Sequence, residues 1–180
     1  MKYGEVNIYT DGSYMSSIES GGWGIYVEFA GGDGVVPAGG WGGSHHKIEE
    51  NPTNQRMEMH GVIQALIYYK ILKREIENEE IEITCNICTD SAYIYNCYKE
   101  GWYKKWKNNG WLNSKGKTVA NKDLWELIVP SFERDDICYM KVTGHNGVEG
   151  NEKADLLATS AAKEKRLITL KELENEDNSN

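Results

Sequence analysis

Along residues 5–10, Val6, Ile8 and Thr10 alternate with Glu5, Asn7 and Tyr9. A period of two predicts a half-buried strand. Residues 23–29 predict a second strand after Gly21 and Gly22. Residues 31–44 hold seven glycines and Pro37, which reads as a loop or a broken strand. Residues 53–73 give the clearest helix. There Glu58, Val62, Ala65, Tyr69 and Leu72 recur at intervals of four and three, one inward stripe. Glu58 heads that stripe, where a carboxylate is costly unless something binds it. Residues 81–89 form a strand with Ile81, Ile83, Cys85 and Ile87 on one side. A short helix over 91–98, a helix over 121–132 bent near Pro130, a strand over 137–143 and an Ala- and Leu-rich helix over 151–165 follow. The acidic, Asn-containing residues 169–180 read as a disordered tail. This order predicts one α/β domain over residues 1–168, with a mixed sheet between helices.

Composition narrows the class. The chain has 180 residues, 39% hydrophobic and 27% charged, ordinary for one water-soluble domain. No apolar run approaches the roughly 18 residues that span a bilayer, so no membrane partner is expected. The first residues lack the apolar segment of a secretory leader, which points to the cytoplasm. Cys85 and Cys88 have CxxC spacing but fall on a strand, where positions three apart face opposite ways. Free buried thiols are therefore expected for the four cysteines rather than a metal site or disulfide. His45 and His46 sit in the glycine-rich stretch without a carboxylate cage and read as surface residues; His60 reads as packed on the long helix.

The net charge of −8 argues against a nucleic-acid partner, but its distribution argues for one. Residues 99–117 carry Lys99, Lys104, Lys105, Lys107, Lys115 and Lys117 against Glu100 alone. Trp102, Tyr103, Trp106 and Trp111 interleave with them, unlike a plain solvated face.

Four acidic residues carry the candidate chemistry. Asp11 stands in Thr10-Asp11-Gly12-Ser13, Glu58 in Thr53-Asn54-Gln55-Arg56-Met57-Glu58 and Asp90 in Thr89-Asp90-Ser91. Asp155 closes the run that begins at Gly144-His145. An Asp and Glu set without Cys or several His suits a hard cation, Mg²⁺ or Mn²⁺, rather than zinc. Two such ions support phosphodiester hydrolysis. Asp11 is placed to bridge them.

These four contexts, in this order and with His145 ten residues before the last, resemble the type 1 ribonuclease H family over about residues 3–165. The resemblance implies a ribonuclease H-like fold with a mixed five-stranded sheet flanked by helices. It implies a monomeric endonuclease that cuts the RNA strand of an RNA–DNA hybrid and leaves 5′-phosphates. Asp11, Glu58, Asp90 and Asp155 match the metal ligands for two Mg²⁺ ions, with Mn²⁺ as an alternative. His145 matches a catalytic His that shuttles protons or aids product release. Gly12, Ser13, Asn54 and Gln55 match contacts to the RNA strand. Thr53 and Asn121 match a phosphate pocket for the DNA strand. Trp102 and Ser114 match the DNA groove, and Lys104, Lys105 and Lys107 fall in a basic handle. Asn51 departs from relatives that carry Arg there, and the 31–44 stretch departs from the regular hairpin. Resolvases, transposases and integrases also use acidic clusters, but lack the Thr-Asn-Gln-Arg-Met-Glu segment and the handle. An inactive hybrid-binding module would lack a carboxylate, and none is missing.

Overall fold

A computed structural model of the chain describes residues 2–32, 38–44, 51–76, 81–144 and 147–177. The first two strands are longer than their hydrophobic patterns. Lys2–Met15 (β1) and Ser20–Gly32 (β2) pair antiparallel along almost their whole length. Gly39–Ser44 (β3) adds to β2, antiparallel. Ile81–Thr89 (β4) lies parallel to β1, and Ile137–Lys141 (β5) parallel to β4. Ile168–Thr169 (β6) pairs with Trp41 and Gly42. The sheet order is β5-β4-β1-β2-β3-β6. The mixed sheet was expected; its strand count is six rather than five, because Ile168 is buried beside β3.

Asn54–Ile76 (α1) covers one face. Thr53 starts it, its hydroxyl accepting the Arg56 N–H at 3.1 Å, a standard helix cap. The predicted stripe is buried at Val62, Ala65, Tyr69 and Leu72, against Val6, Ile8, Ile83 and Ile87. Buried Tyr69 satisfies its hydroxyl by donating to the Ile83 carbonyl at 2.7 Å. The basic segment, which no pattern assigned, begins after Ala92–Glu100 (α2) as the short helix Trp102–Asn108 (α3). Lys122–Ile128 (α4) then passes into a 3₁₀ turn over Val129–Glu133, where Pro130 predicted the bend. Trp106 and Trp125, 5.6 Å apart between ring centres, join α3 and α4 to the core.

Glu149–Glu164 (α5) packs on the other face with Tyr9, Tyr26 and Cys88. This contact explains two glycines of the glycine-rich stretch, Gly40 and Gly42. A Cβ on Gly24 would stand 2.1 Å from the Ala154 carbonyl oxygen, and one on Gly42 would stand 2.6 Å from that of Leu157. Gly40 and Gly42 of β3 are thus a seat for α5 rather than a loop signal, while Gly43 makes room for the Trp23 ring. Cys85 and Cys88 do lie in the two opposite clusters, and all four thiols are free. The expectation of burial fails only for Cys138, which is exposed on the edge strand β5. His60 is half-buried on α1, and His45 and His46 lie outside the described residues.

The acidic segment expected to be disordered forms the helix Leu170–Asp177 (α6). Thr169 and Glu172 cap it reciprocally: the Glu172 carboxylate accepts the Thr169 N–H at 2.8 Å, and the Thr169 hydroxyl accepts the Glu172 N–H at 3.3 Å. Ile168 and Leu170 are buried and anchor it.

The α5 seat sets a stability prediction. Gly24→Ala should destabilise by about 1–3 kcal/mol through overpacking, lowering Tm by roughly 2–10 °C. Leu156→Ala, on the exposed face of α5, should change Tm far less. Thermal melts of both variants check this, and an unchanged Tm for Gly24→Ala would refute the tight seat.

Candidate functional site

Asp11 leaves the sheet from β1, and Asp90 follows the end of the adjacent parallel strand β4. Glu58 arrives from the first turns of α1 on one face, Asp155 from α5 on the other. A cleft of about 320 Å³ is lined by Asp11, Gly12, Ser13, Asn54, Glu58, Asp90 and Asp155. All four predicted carboxylates therefore share one concavity, although they are separated by up to 144 residues in the chain.

The position of Glu58 depends on Gly12. A Cβ there would lie 2.0 Å from the Glu58 nitrogen, so only glycine lets α1 press on β1 at this height. Gly12 is buried, and what it supplies to the site is room. Both Glu58 oxygens are held: Oε1 accepts Asn54 Nδ2 at 3.1 Å, and Oε2 accepts the Ser91 hydroxyl at 2.6 Å. Asn54 is itself fixed, its Oδ1 accepting the Tyr14 N–H at 3.2 Å.

Asp11 is only 8% exposed, with Oδ1 accepting the Gly12 N–H at 2.7 Å. Burial, then the negative charges of Asp90, Asp155 and Glu58, push its carboxyl up to about 8; the Gly12 N–H only partly opposes this. Burial also raises Glu58, opposed by its bonds from Ser91 and Asn54 and by the charge of Lys141. Among the described residues, no three potential ligands stand close enough to enclose an ion. Like charges that share a cleft hold one another apart, and a cation between them relieves the repulsion.

The donor set fits a hard divalent ion. It offers carboxylate oxygens and no thiolate or imidazole among the described lining residues. Asn151, 2% exposed and one helical turn before Asp155, adds a second indication. Its Nδ2 points to Asp90 Oδ2 at 3.5 Å, while its Oδ1 is buried without a donor. An unpaired buried carbonyl costs about 1–3 kcal/mol, and the water shell of a bound cation is a source of donors for it.

The expected substrate contacts fall into three groups. Ser13 and Asn54 line the cleft with Gly12. Thr53, Gln55 and Asn121 gather beside it: Asn121 Nδ2 donates to Gln55 Oε1 at 3.1 Å, while the Thr53 hydroxyl is engaged as the cap of α1. Arg56 ties this group together, donating to Asn121 Oδ1 at 3.2 Å and to both Asp123 oxygens at 3.0 and 2.7 Å. Trp102, Lys104, Lys105, Lys107 and Ser114 lie apart from the cleft, on α3 and the turn after it. Lys104, Lys105 and Ser114 are exposed. Lys107 pairs with Glu133 at 3.1 Å, and Trp102 Nε1 donates to Glu100 at 2.7 Å. His145 lies outside the described residues.

Sequence reasoning missed Ser91, Arg56, Lys141 and Asn151. Asn151 had a readable signal, four residues before Asp155 on a predicted helix and so on its face. Lys141 had none, because its partner is a main-chain carbonyl.

The charge crowding has a signed consequence. A carboxyl raised from 3.8 to about 8 on folding contributes stability that is complete in acid and is lost as pH rises through about 8. At pH 7 the folded protein therefore bears most of this penalty, and an amide at the same place does not. Without divalent ions, Asp11→Asn should melt at least about 4 °C above wild type at pH 7, the gap closing toward pH 4. An equal or lower Tm at pH 7 would show that Asp11 is not under this strain.

Comparison with known proteins gives a consistent family. The RNase H family model matches residues 3–163. The chain is 37% identical over 163 residues to the ribonuclease H of Syntrophomonas wolfei, covering 88% of this chain and 97% of that protein. It is 35% identical over 158 residues to the ribonuclease H of Thermoanaerobacter sp. strain X514, covering 88% and 90%. Among solved structures it is similar to LC9-RNase H1, described as a type 1 RNase H with the type 2 active-site motif. The TM-score is 0.68 at 28% identity, over 93% of this chain and 78% of that one.

Proposed function

The chain belongs to the ribonuclease H family, and we propose that it hydrolyses the RNA strand of RNA–DNA hybrids with Asp11, Glu58, Asp90 and Asp155 as ligands of two divalent cations. One observation carries the reading: four carboxylates from four distant segments line a single cleft, the most buried of them resisting ionisation. These carboxylates would hold a pair of Mg²⁺ or Mn²⁺ ions, which would supply activation of water and neutralisation of charge on the transition state and the leaving oxygen.

The rest of the work belongs to side chains. Asn54 and Ser91 fix the two oxygens of Glu58, and the Gly12 N–H orients Asp11. Fixed ligands need no reorganisation during the reaction. His145, ten residues before Asp155, is assigned proton transfer or product release. Ser13, Asn54 and Gln55, with main chain at Gly12, are assigned the RNA strand, whose 2′-hydroxyls distinguish it from DNA. Thr53 and Asn121 are assigned a DNA-strand phosphate, with Arg56 holding Asn121 in place. Trp102 and Ser114 are assigned the DNA groove, and Lys104, Lys105 and Lys107 the phosphate backbone. The catalytic domain is assigned to residues 1–168. One chain supplies all four carboxylates, which supports a monomer. Four free thiols support a reducing compartment such as the cytoplasm. Among the described residues, no helix is long and apolar enough to cross a membrane.

The direct test compares labelled RNA–DNA hybrid, RNA duplex and DNA duplex, each with Mg²⁺ and with EDTA. Cleavage should be confined to the RNA of the hybrid and vanish with EDTA. Cleavage of the DNA duplex at a similar rate would contradict the reading. His145→Ala should slow turnover by roughly 10²- to 10³-fold with little change in KM; an unchanged kcat would remove its role.

The handle predicts a salt dependence. Each lysine that neutralises a phosphate contributes about 0.9 to the slope of log K against log salt. Lys104, Lys105 and Lys107 changed together to Ala should make that slope shallower by about one to three units. Lys107 contributes least, because Glu133 already neutralises it in part. KM should rise with kcat nearly constant. A wild-type slope would make these lysines an ordinary solvated face.

A further inference from the structure

Lys141 ends β5 beside the site and has no part in the assignments above. It is paired in register with Thr89, the residue before Asp90. Its ammonium donates to the main-chain carbonyl of Asp90 and, at 3.3 Å, to that of Val142. The side chain is exposed, and among the described residues no carboxylate is paired with it. The next residue after its anchor, Ser91, grips Glu58 Oε2 at 2.6 Å. Lys141 therefore places its ammonium at the Asp90–Ser91 corner, on the segment that presents Asp90 and hydrogen-bonds Glu58. Its field reaches Glu58, whose carboxyl it helps to keep ionised.

An ammonium does there, permanently, part of what a divalent ion does. It offsets negative charge on the Asp90 and Glu58 side before any ion arrives. It also repels an ion that binds next to it. We infer that Lys141 is a built-in cation that weakens divalent-ion binding at the Asp90 and Glu58 side of the cleft, and so sets the Mg²⁺ concentration the enzyme requires. The inference rests on the proposed metal-binding role of the four carboxylates. It makes Lys141 a positioning residue that acts through charge rather than through contact with substrate.

A unit charge beside a divalent ion at a solvent-exposed site is worth a factor of roughly three to ten in affinity at low salt. Lys141→Gln keeps a donor for the Asp90 carbonyl and removes the charge. Calorimetric titration with MgCl₂, without nucleic acid, should show this variant binding Mg²⁺ three- to tenfold more tightly than wild type. Lys141→Arg, which keeps the charge, should match wild type. The gain of the Gln variant should shrink as KCl is raised, because screening weakens a charge effect but not a packing effect. The Mg²⁺ concentration for half-maximal hybrid cleavage should fall in parallel. Thermal melts of all three proteins establish that each is folded; Lys141→Met is the substitute if the Gln variant is not.

The inference is overturned if the Gln or Met variant binds Mg²⁺ with wild-type or weaker affinity, or if its gain is independent of salt. A wild-type protein that binds no Mg²⁺ would instead overturn the metal-binding reading beneath it. Asp11→Asn, expected to lose binding, separates those two failures.

Discussion

Two helices press on opposite faces of one sheet at distances that no side chain on the strand would permit, and the site exists because of that closeness. Gly12 lets the first turns of α1 settle on β1, where a Cβ would meet the Glu58 nitrogen at 2.0 Å. Gly24 and Gly42 let α5 do the same on β2 and β3. Each helix brings one carboxylate, and the parallel neighbours β1 and β4 bring two more at their shared end. The packing that excludes side chains from the strands therefore concentrates negative charge at one end of the central strands. The hydrophobic contacts of Val62, Ala65 and Tyr69 on one side, and Ala154 and Leu157 on the other, hold this arrangement against its own repulsion.

That repulsion is a functional resource. A nucleic acid is a polyanion and has no reason to approach a cleft of four carboxylates in an acidic protein. In the proposed reading, divalent ions would reverse the local sign, and the lysines of α3, set apart from the cleft, would draw the phosphate backbone to the protein. The two charge systems stay separate because their lengths of chain are separate. The carboxylates come from β1, the residue after β4, the first turns of α1 and the middle of α5, the lysines from a helix that the aromatic cluster around Trp106 and Trp125 fastens to the core.

The sequence was informative where one physical period dominated. The stripe from Glu58 to Leu72 reports a single inward face and is found in the structure; the alternation from Glu5 to Thr10 holds at Glu5, Val6 and Ile8 but fails at Tyr9, which is buried on the opposite face under α5. The four carboxylates were legible for a different reason: each stands in a short local context, and the four contexts in this order resemble one family. Strand β3 was illegible because Gly40 and Gly42 answer to α5, more than a hundred residues later in the chain, and Gly43 to the ring of Trp23. Helix α6 was obscured by its acidic composition, although Thr169 and Glu172 have the spacing of a reciprocal cap. β6 is too short to carry a period at all. Lys141 answers to a backbone carbonyl, and no residue pattern encodes that.

The proposed role of the charge gathered by this packing is to hold divalent ions. Anomalous diffraction from crystals of the protein with Mn²⁺ and an uncleavable RNA–DNA hybrid tests it most directly. Two peaks are expected in the cleft, with Asp11, Glu58, Asp90 and Asp155 as the protein ligands. Mn²⁺ bound only elsewhere, at concentrations that support cleavage, would contradict it.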